Sequence, residues 1–241
     1  MQKSDLNNKT WIVTGAGRGI GRAIALGLAR EHANVVVSAR TAAEIEQVAG
    51  EITALGSTAL PVVADVSDEN AVHRLVQTCA DRFGGVDGLV NNAGIGSFVP
   101  VAKMSTADFD AMWGVNMRGV FFCTRAVLPF MTRQLSGDIV NISSLAGRNA
   151  FVGGAGYAAT KWALIGFSRC LMLEVRDQNI RVITLCPGSV DTTFAGPSHH
   201  AKTASAIPSA ESIAAVALDA LRLPRNTMVS EIDIRPTNPK A

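Results

Sequence analysis

Residues 11–21, Trp-Ile-Val-Thr-Gly-Ala-Gly-Arg-Gly-Ile-Gly, form a glycine-rich stretch that decides how this chain begins to fold. Four residues typical of a buried strand come first, and Ile20, Ile24 and Leu28 then recur at helical spacing. Glycine permits the backbone angles of a tight turn and lets a phosphate approach the main chain, while the helix N-terminus offers free N–H groups. The stretch predicts a dinucleotide-binding turn; the alternative is a plain tight turn between a strand and a helix.

The same alternation of short β-branched runs and longer helical patterns continues along the chain. The predicted strands are 10–14, 34–39, 58–63, 88–90, 138–142, 181–185 and 231–234, and the predicted helices are 19–31, 43–55, 69–83, 106–134, 155–177 and 210–221. Repeated βαβ units build a parallel sheet that helices cover on both faces. We therefore expect a single α/β domain over residues 1–241, a doubly wound Rossmann-type fold with a seven-stranded, mainly parallel sheet. Segment 194–206, rich in Ser, Ala, His and Gly, is expected to form a substrate lid.

The composition narrows the possible partners. A chain of 241 residues, 48% hydrophobic and 17% charged, describes a compact globular protein with a large interior or an extensive subunit interface. The net charge of +2, without runs of like charge, disfavours nucleic-acid binding. No stretch approaches the roughly 20 apolar residues of a membrane helix, and residues 1–10 lack the apolar core of a signal peptide. We expect a cytoplasmic protein without nucleic-acid or membrane partners.

The cysteines give no sign of a metal site. Widely spaced along the chain, they show neither a C-x-x-C pair nor a nearby histidine at metal-ligand spacing, and they are Cys79, Cys123, Cys170 and Cys186. We expect small buried thiols and no bound metal.

The end of the second predicted strand distinguishes between two dinucleotides. An acidic residue there would bond the ribose hydroxyls of NAD, but the residues are Ser-Ala-Arg-Thr. Arg40 in this run and Arg18 in the glycine turn are placed to clamp a 2′-phosphate, which predicts NADP(H). The alternative is that both arginines are solvated surface residues. Asp65, after the third strand, either accepts a hydrogen bond from adenine or caps the next helix, although Ser67 and Asp68 are better placed as caps.

A tyrosine and a lysine lie together at the start of the predicted helix 155–177. Tyr157 and Lys161 are four residues apart, so their side chains fall on one helix face. A free phenol has a pKa of about 10, too high for efficient proton exchange near neutral pH. A neighbouring ammonium group would lower this pKa, and an oxidised nicotinamide ring would lower it further. The alternative is a half-buried tyrosine beside a lysine whose ammonium group reaches water.

Three more polar residues are candidates for the same site. Ser143 and Ser144 follow strand 138–142 at its carboxyl end, where open α/β sheets bind ligands, and a hydroxyl there can hold a substrate oxygen. They can equally be ordinary turn residues. Asn116 lies inside an apolar helical pattern, where an unbonded amide is costly. We therefore expect Asn116 to bind a water, to stabilise a local distortion of the helix or to bond a backbone carbonyl.

Together these residues resemble the short-chain dehydrogenase/reductase family over nearly the whole chain. Residues 14–21 are similar to its T-G-x-x-x-G-x-G cofactor turn, residues 91–94 to its N-N-A-G motif and residues 157–161 to its Y-x-x-x-K motif. Residues 187–192 resemble its P-G segment, whose final threonine bonds the nicotinamide carboxamide. Ser144, thirteen residues before the tyrosine, falls where the family keeps its catalytic serine.

The resemblance implies a role for each residue. Tyr157 exchanges the proton and Ser144 fixes the substrate oxygen. Lys161 lowers the tyrosine pKa and bonds the nicotinamide ribose, and Asn116, matching the fourth catalytic member, holds a water of the proton relay. The implied cofactor-binding residues are Gly15, Gly17, Arg18, Gly19, Ile20, Gly21, Arg40, Asp65, Val66, Asn91, Ala93, Gly94, Tyr157, Lys161, Pro187, Gly188, Val190 and Thr192.

The resemblance also implies an activity and an assembly. We expect an NADP(H)-dependent carbonyl reductase, similar to members that reduce 3-oxoacyl groups, which forms a homotetramer or homodimer through helices 106–134 and 155–177. The alternatives are an NAD-dependent alcohol dehydrogenase, a non-catalytic NADP(H)-binding sensor and a structural subunit with a vestigial site. A complete set of Asn116, Ser144, Tyr157 and Lys161 favours turnover.

Substrate identity is not fixed by any motif and is expected to depend on residues 96–99, 145–151 and 194–206. Four residues indicate an apolar pocket wall, so 3-oxoacyl thioesters, steroids and simple ketones all remain possible, and these residues are Leu145, Phe151, Val152 and Phe194. His199 and His200 in the expected lid either touch an acidic substrate group or have no role in binding.

Overall fold

A computed structural model describes residues 5–195 and 207–237 of the chain. Its strands are β1 Thr10–Thr14, β2 Asn34–Ala39, β3 Ala59–Val63, β4 Gly88–Asn91, β5 Gly137–Ile142, β6 Ile180–Pro187 and β7 Glu231–Ile234. Its α-helices are α1 Gly19–Arg30, α2 Ala42–Ala54, α3 Glu69–Phe83, α4 Thr106–Trp113, α5 Gly119–Gln134, α6 Ala155–Val175 and α7 Ala210–Arg222. The predicted elements are therefore present, with their ends displaced by one or two residues, except in the region of α4 and α5.

The seven strands form one sheet in the order β3-β2-β1-β4-β5-β6-β7, and every neighbouring pair is parallel. Helices α1, α2 and α7 cover one face, and α3, α5 and α6 cover the other. Strand β1 shows why its residues suit this position, because Trp11 and Val13 pack on the first face and Ile12 on the second. Such double coverage explains the continuous apolar strands, since each fully buried side chain contributes about 1.5–3 kcal/mol. The predicted doubly wound parallel fold is confirmed.

The single helix predicted over residues 106–134 is wrong in one respect. The structure divides it into α4, a π-helical segment at Gly114–Arg118 and α5. Within this segment the Asn116 side chain points inward. Its amide donates to the carbonyl oxygen of Ile95 and accepts from the backbone nitrogen of the same residue. A π segment adds one residue to a helical turn and is common at functional sites. Of the alternatives weighed for Asn116, the structure shows both the helix distortion and the bond to a backbone carbonyl.

The glycine at the start of β4 makes room for the side chain of Trp11 in β1. Gly88 pairs with Trp11, and a Cβ at Gly88 would lie 2.2 Å from Cε3 of the indole ring. The indole therefore packs over the bare backbone of Gly88. None of the helices in ranges 5–195 and 207–237 is both long and apolar enough to cross a bilayer.

Candidate active site

A cavity of about 1080 Å³ lies at the carboxyl edge of the sheet. Its wall includes residues that follow six strands in turn, and these are Gly15, Arg40, Asp65, Ala93, Ser143 and Gly188. The chain order reverses between β1 and β4, since β2 and β3 lie on one side of β1 and the later strands on the other. Doubly wound sheets bind ligands in the crevice at such a reversal.

The glycine turn forms the floor at one end of this cavity. Gly15 and Gly19 have φ angles of +62° and +55°, in the left-handed region that glycine adopts without strain. Arg18 precedes α1 without a side-chain hydrogen bond to its N-terminus, so the first N–H groups of the helix are left for a ligand. These features fit a pyrophosphate, which approaches bare backbone and a positive helix end. Gly21 has a packing role, because a Cβ there would lie 2.4 Å from the carbonyl oxygen of Gly15.

Charged residues gather at the same end, beyond the glycine turn. The exposed Arg18 and Arg40 both line the cavity. Asp65 lines it as well and accepts hydrogen bonds from the backbone nitrogen and hydroxyl of Ser67 at 2.9 and 2.7 Å. Burial works to raise the pKa of Asp65, but these bonds and the charge of Arg40 outweigh it and leave the pKa lowered. Asp68 is the N-cap of α3, so capping is not the role of Asp65.

The tyrosine of the predicted pair lies at the other end of the cavity. Tyr157 is only 7% exposed although it lines the wall. Burial raises the pKa of its phenol to about 12, and a hydrogen bond with Ser144 opposes this rise. Ser144 also accepts from the backbone nitrogen of Ala146 at 3.0 Å, which positions its hydroxyl at the end of β5. The structure thus brings Tyr157 and Ser144 together, as expected.

Lys161 adjoins this pair but departs from one expectation. Its Nζ lies 5.7 Å from the Tyr157 ring centroid and donates to the carbonyl oxygen of Ile142 at 2.9 Å. Complete burial lowers the pKa of the lysine itself from 10.5 to about 8. The expected lowering of the Tyr157 pKa by this ammonium group is not seen, since burial and the Ser144 hydrogen bond are the causes of its shift.

Asn116 stands behind the cavity wall. Its Nδ2 donates to the Ile95 carbonyl oxygen at 2.9 Å and to Oγ1 of Thr160 at 3.0 Å, and its Oδ1 accepts from the Ile95 nitrogen at 2.9 Å. A Cβ at Gly94 would lie 3.5 Å from this Oδ1 and 3.7 Å from Nζ of Lys161. The Oδ1 atom of Asn116 and the Nζ atom of Lys161 therefore both lie close to the backbone of Gly94.

The two asparagines at the end of β4 do not both face the cofactor end of the cavity, as the motif alone would imply. Asn91, expected to line the cofactor, is 3% exposed and donates to Oδ1 of Asn141 at 2.8 Å and Oγ1 of Thr124 at 3.2 Å, so its side chain points into the interior. Asn92 lines the cavity instead, and its amide donates to the carbonyl oxygens of Thr14 and Gly15 at 3.0 Å each. Asn92 thus fastens the glycine turn. Asn92 was not among the predicted site residues, although its position in the N-N-A-G motif could have indicated it.

Most other predicted residues line the cavity, and these are Gly17, Ile20, Val66, Pro187, Val190 and Thr192 with the apolar set Leu145, Phe151, Val152 and Phe194. Phe98, from the segment 96–99 that was expected to shape the substrate pocket, lines it too, and so does Glu44, which sequence reasoning missed. His199, His200 and the expected lid beyond Ala195 lie outside the described residues.

A doubly wound parallel sheet with an open glycine turn, and with a buried tyrosine and lysine at its carboxyl edge, defines a dinucleotide-dependent α/β oxidoreductase architecture. The family model described as short chain dehydrogenase matches residues 9–203. The chain belongs to the short-chain dehydrogenase family.

Relatives of known name or structure are similar along most of their length. A sepiapterin reductase of Chlorobaculum tepidum is 38% identical over 234 residues, which cover 94% of this chain and 96% of that protein. A 3-oxoacyl-[acyl-carrier-protein] reductase of Synechocystis is 40% identical over 182 residues, 75% of this chain and 74% of that protein. An alcohol dehydrogenase of Thermococcus sibiricus complexed with 5-hydroxy-NADP has a TM-score of 0.90 at 32% identity, covering 97% of this chain and 99% of that one. A metagenomic short-chain oxidoreductase in complex with NADP has a TM-score of 0.86 at 36% identity, covering 98% and 100%.

Proposed function

We propose that this protein is an NADP(H)-dependent carbonyl reductase in which Tyr157 donates the proton to the substrate oxygen. The observation that carries the proposal is the position of Tyr157, Ser144 and Lys161 at the end of a cavity whose other end fits a dinucleotide. When bound, reduced nicotinamide would supply a hydride for the carbonyl carbon. Tyr157 would give its phenolic proton to the carbonyl oxygen, so that a ketone becomes a secondary alcohol.

The phenol of Tyr157 can supply the proton that reduction requires. Burial raises its pKa to about 12, so it is protonated in the neutral range, and the positive charge of an oxidised nicotinamide would favour the phenolate for the reverse reaction. Ser144 holds the substrate oxygen beside the phenol. Lys161, which lines the same wall, binds the nicotinamide ribose and belongs to the relay that replaces the proton of Tyr157.

Arg18 and Arg40 support NADP(H) over NAD(H), since both line the cavity at the end where a 2′-phosphate would lie. The bound ligands of the two structural relatives above support the same choice. A non-catalytic sensor or a vestigial subunit would have no need of the complete set of Asn116, Ser144, Tyr157 and Lys161.

The deciding experiment measures binding and turnover on the same protein. NADPH and NADH are titrated by fluorescence, and a panel of carbonyl compounds is then assayed with the cofactor that binds more tightly. Tyr157→Phe should bind NADPH nearly as well as the wild type but lose about 10²–10⁴-fold in kcat, because the phenol acts mainly in the transition state. Near wild-type turnover of this variant would overturn the assignment.

The proposal includes a homotetramer, or a homodimer, built through α5 and α6. Large apolar side chains remain 41%, 56% and 57% exposed on these helices in the single chain, and they are Phe121, Trp162 and Leu173. Such exposure on neighbouring helices is typical of subunit interfaces. Light scattering at micromolar concentration tests this, and the mass of a monomer would contradict it. A cytoplasmic location is also proposed, supported by four cysteines that are all free. The expectation of buried thiols is wrong for one of them, because Cys170 is exposed on α6.

A further inference from the structure

An aromatic cluster covers the phenol of Tyr157. The ring of Phe98 packs edge to face on Tyr157, with centroids 5.2 Å apart and planes at 73°. Phe194 approaches Tyr157 at 5.8 Å and Phe98 at 6.4 Å, and Phe151 approaches Phe98 at 6.0 Å. Phe98 is therefore the centre of the cluster, since its ring contacts the other three.

These phenylalanines are not part of the hydrophobic core. Phe98, Phe151 and Phe194 are 43%, 46% and 44% exposed, and all three line the cavity. A phenylalanine left half in water forgoes much of the stabilisation that burial would provide. Two of these rings contact Tyr157 and the third contacts Phe98, so together they offer an apolar surface beside the phenol that a ligand could bury.

Glycines behind the rings fix where the rings lie. A Cβ at Gly96 would lie 2.9 Å from Cζ of Phe98 and 3.3 Å from Cε1 of Phe194. A Cβ at Gly154 would lie 2.5 Å from Cε1 of Phe151. Each ring therefore packs on bare backbone, and any side chain at these two positions would push the rings into the cavity.

The surroundings of the cluster favour a neutral ligand. The charged residues of the cavity wall lie mainly at the dinucleotide end, and in the described part of the wall only Lys161 and Arg235 carry charge elsewhere. Arg235 is paired with Asp233 at 3.1 Å, and Lys161 is buried against the Ile142 carbonyl. Among the described residues of this wall, a substrate carboxylate or phosphate would lose water without an unengaged cation to receive it.

We propose that the substrate is a neutral ketone with a planar aromatic group within a bond or two of its carbonyl, and that Phe98, Phe151 and Phe194 bind this group. The inference rests on the proposed reaction at Tyr157 and specifies its substrate class. Hydride passes from reduced nicotinamide to the ketone carbon, the proton of Tyr157 passes to the oxygen, and an aryl-substituted secondary alcohol leaves. Edge-to-face and offset contacts between aromatic rings stabilise binding beyond what buried area provides, and a saturated ring of the same size lacks them.

The test compares 1-phenylpropan-2-one with 1-cyclohexylpropan-2-one, which share the ketone and the carbon skeleton and differ in the aromatic ring. With NADPH, kcat/KM for the phenyl compound should exceed that for the cyclohexyl compound by about 5-fold or more, as expected for two aromatic contacts. Phe98→Leu should lower the ratio by about 2-fold or more, the share of one ring contact, and Phe98→Tyr should keep it at the wild-type value. Phe109→Leu is the matched control, because Phe109 is 40% exposed on α4 and packs on Trp113 outside the cavity, and its ratio should stay at the wild-type value.

A wild-type ratio near or below one would overturn the substrate class, as would a ratio that Phe98→Leu leaves unchanged while NADPH still binds. If the protein reduces other carbonyl compounds of the panel but neither ketone, the substrate class is wrong and the proposed function stands. If it binds NADPH and reduces no carbonyl compound, both fail.

Discussion

Glu44 lies directly against Gly17 in the cofactor end of the cavity. A Cβ at Gly17 would stand 2.6 Å from Oε2 and 2.8 Å from Cβ of Glu44, so the glycine is what admits this side chain. Glu44 belongs to the first turn of α2, is half-buried and lines the cavity. In the part of the chain that the structure describes, its carboxylate forms no ion pair with Arg18 or Arg40. A negative charge therefore stands where the two arginines are placed to attract a 2′-phosphate.

The cofactor preference should consequently be a balance that Glu44 shifts towards NAD(H). Glu44→Gln should lower the Kd for NADPH about 5-fold, since a nearby like charge costs on the order of 1 kcal/mol even when water screens it. The Kd for NADH should stay constant or rise, because the ribose hydroxyls of NADH can donate to a carboxylate. Fluorescence titration of both cofactors measures this.

Glu46→Gln is the matched control for that prediction. Glu46 lies two residues further along α2, is exposed and is not among the residues of the cavity wall. Its substitution removes the same charge from the same helix and should leave the NADPH to NADH ratio unchanged. An equal shift in both variants would assign the effect to net charge and not to the contact with Gly17.

Arg40→Asp tests the other side of the balance. The exchange replaces an attractive guanidinium with a repulsive carboxylate at the end of β2, so NADPH binding should weaken by at least about 10-fold while NADH binding changes little. The NADH titration is the internal control, because it reports any general damage to the glycine turn. Equal losses for both cofactors would mean that Arg40 never meets the phosphate.

These contacts show which features the sequence could reveal and which it could not. The seven strands and the glycine turn follow from local periodicity and glycine spacing, and Tyr157, Lys161 and Ser144 follow from a motif with fixed separations. The contact of Glu44 with Gly17 joins the first turns after two different strands, so no local pattern reveals it. The position of a side chain relative to the cavity depends on such long-range packing.

The same limit applies to the residues around β4. The motif identified the Asn-Asn pair but not that Asn91 faces inward and Asn92 outward, because this depends on where β4 ends. Phe98 lies in a segment without regular structure, so it has no periodicity to interpret. Its contact with Tyr157, which is distant in the sequence, exists only in the folded chain.

Asn116 is expected to stabilise the fold besides serving the reaction. Asn116→Leu keeps similar volume but removes three hydrogen bonds and leaves the backbone N–H and C=O of Ile95 without their partner. The free energy of unfolding should fall by about 2–4 kcal/mol, as for other buried polar groups left unpaired. Urea denaturation measures the change. Asn149→Leu is the comparison, because the exposed Asn149 makes a single side-chain bond, to Leu145, and should cost less than about 1 kcal/mol.

Lys161 should make the protein less stable at neutral pH than it would be with an apolar residue in its place. Burial lowers the pKa of Lys161 from 10.5 to about 8 in the folded chain. Between these two values the unfolded chain binds more protons, so the contribution of Lys161 to the free energy of unfolding rises with pH across this window. Below about pH 8 the folded chain carries the full cost of a buried ammonium group.

Lys161→Met should therefore raise the free energy of unfolding at pH 7 by about 1–3 kcal/mol, less than the pKa difference alone would give, because the Ile142 carbonyl loses its donor. The gain should shrink as the pH rises from 8 towards 10.5, where lysine becomes neutral in both states. Urea denaturation of both proteins at pH 7 and pH 10 measures it, and comparing the two proteins at each pH largely cancels the ionisation of Tyr157 and the cysteines. Two outcomes would contradict this prediction: a Met variant that is less stable at pH 7, or a stability difference that does not change with pH. Either would show that the folded chain already solvates the Lys161 charge, so that burial does not lower the pKa of Lys161.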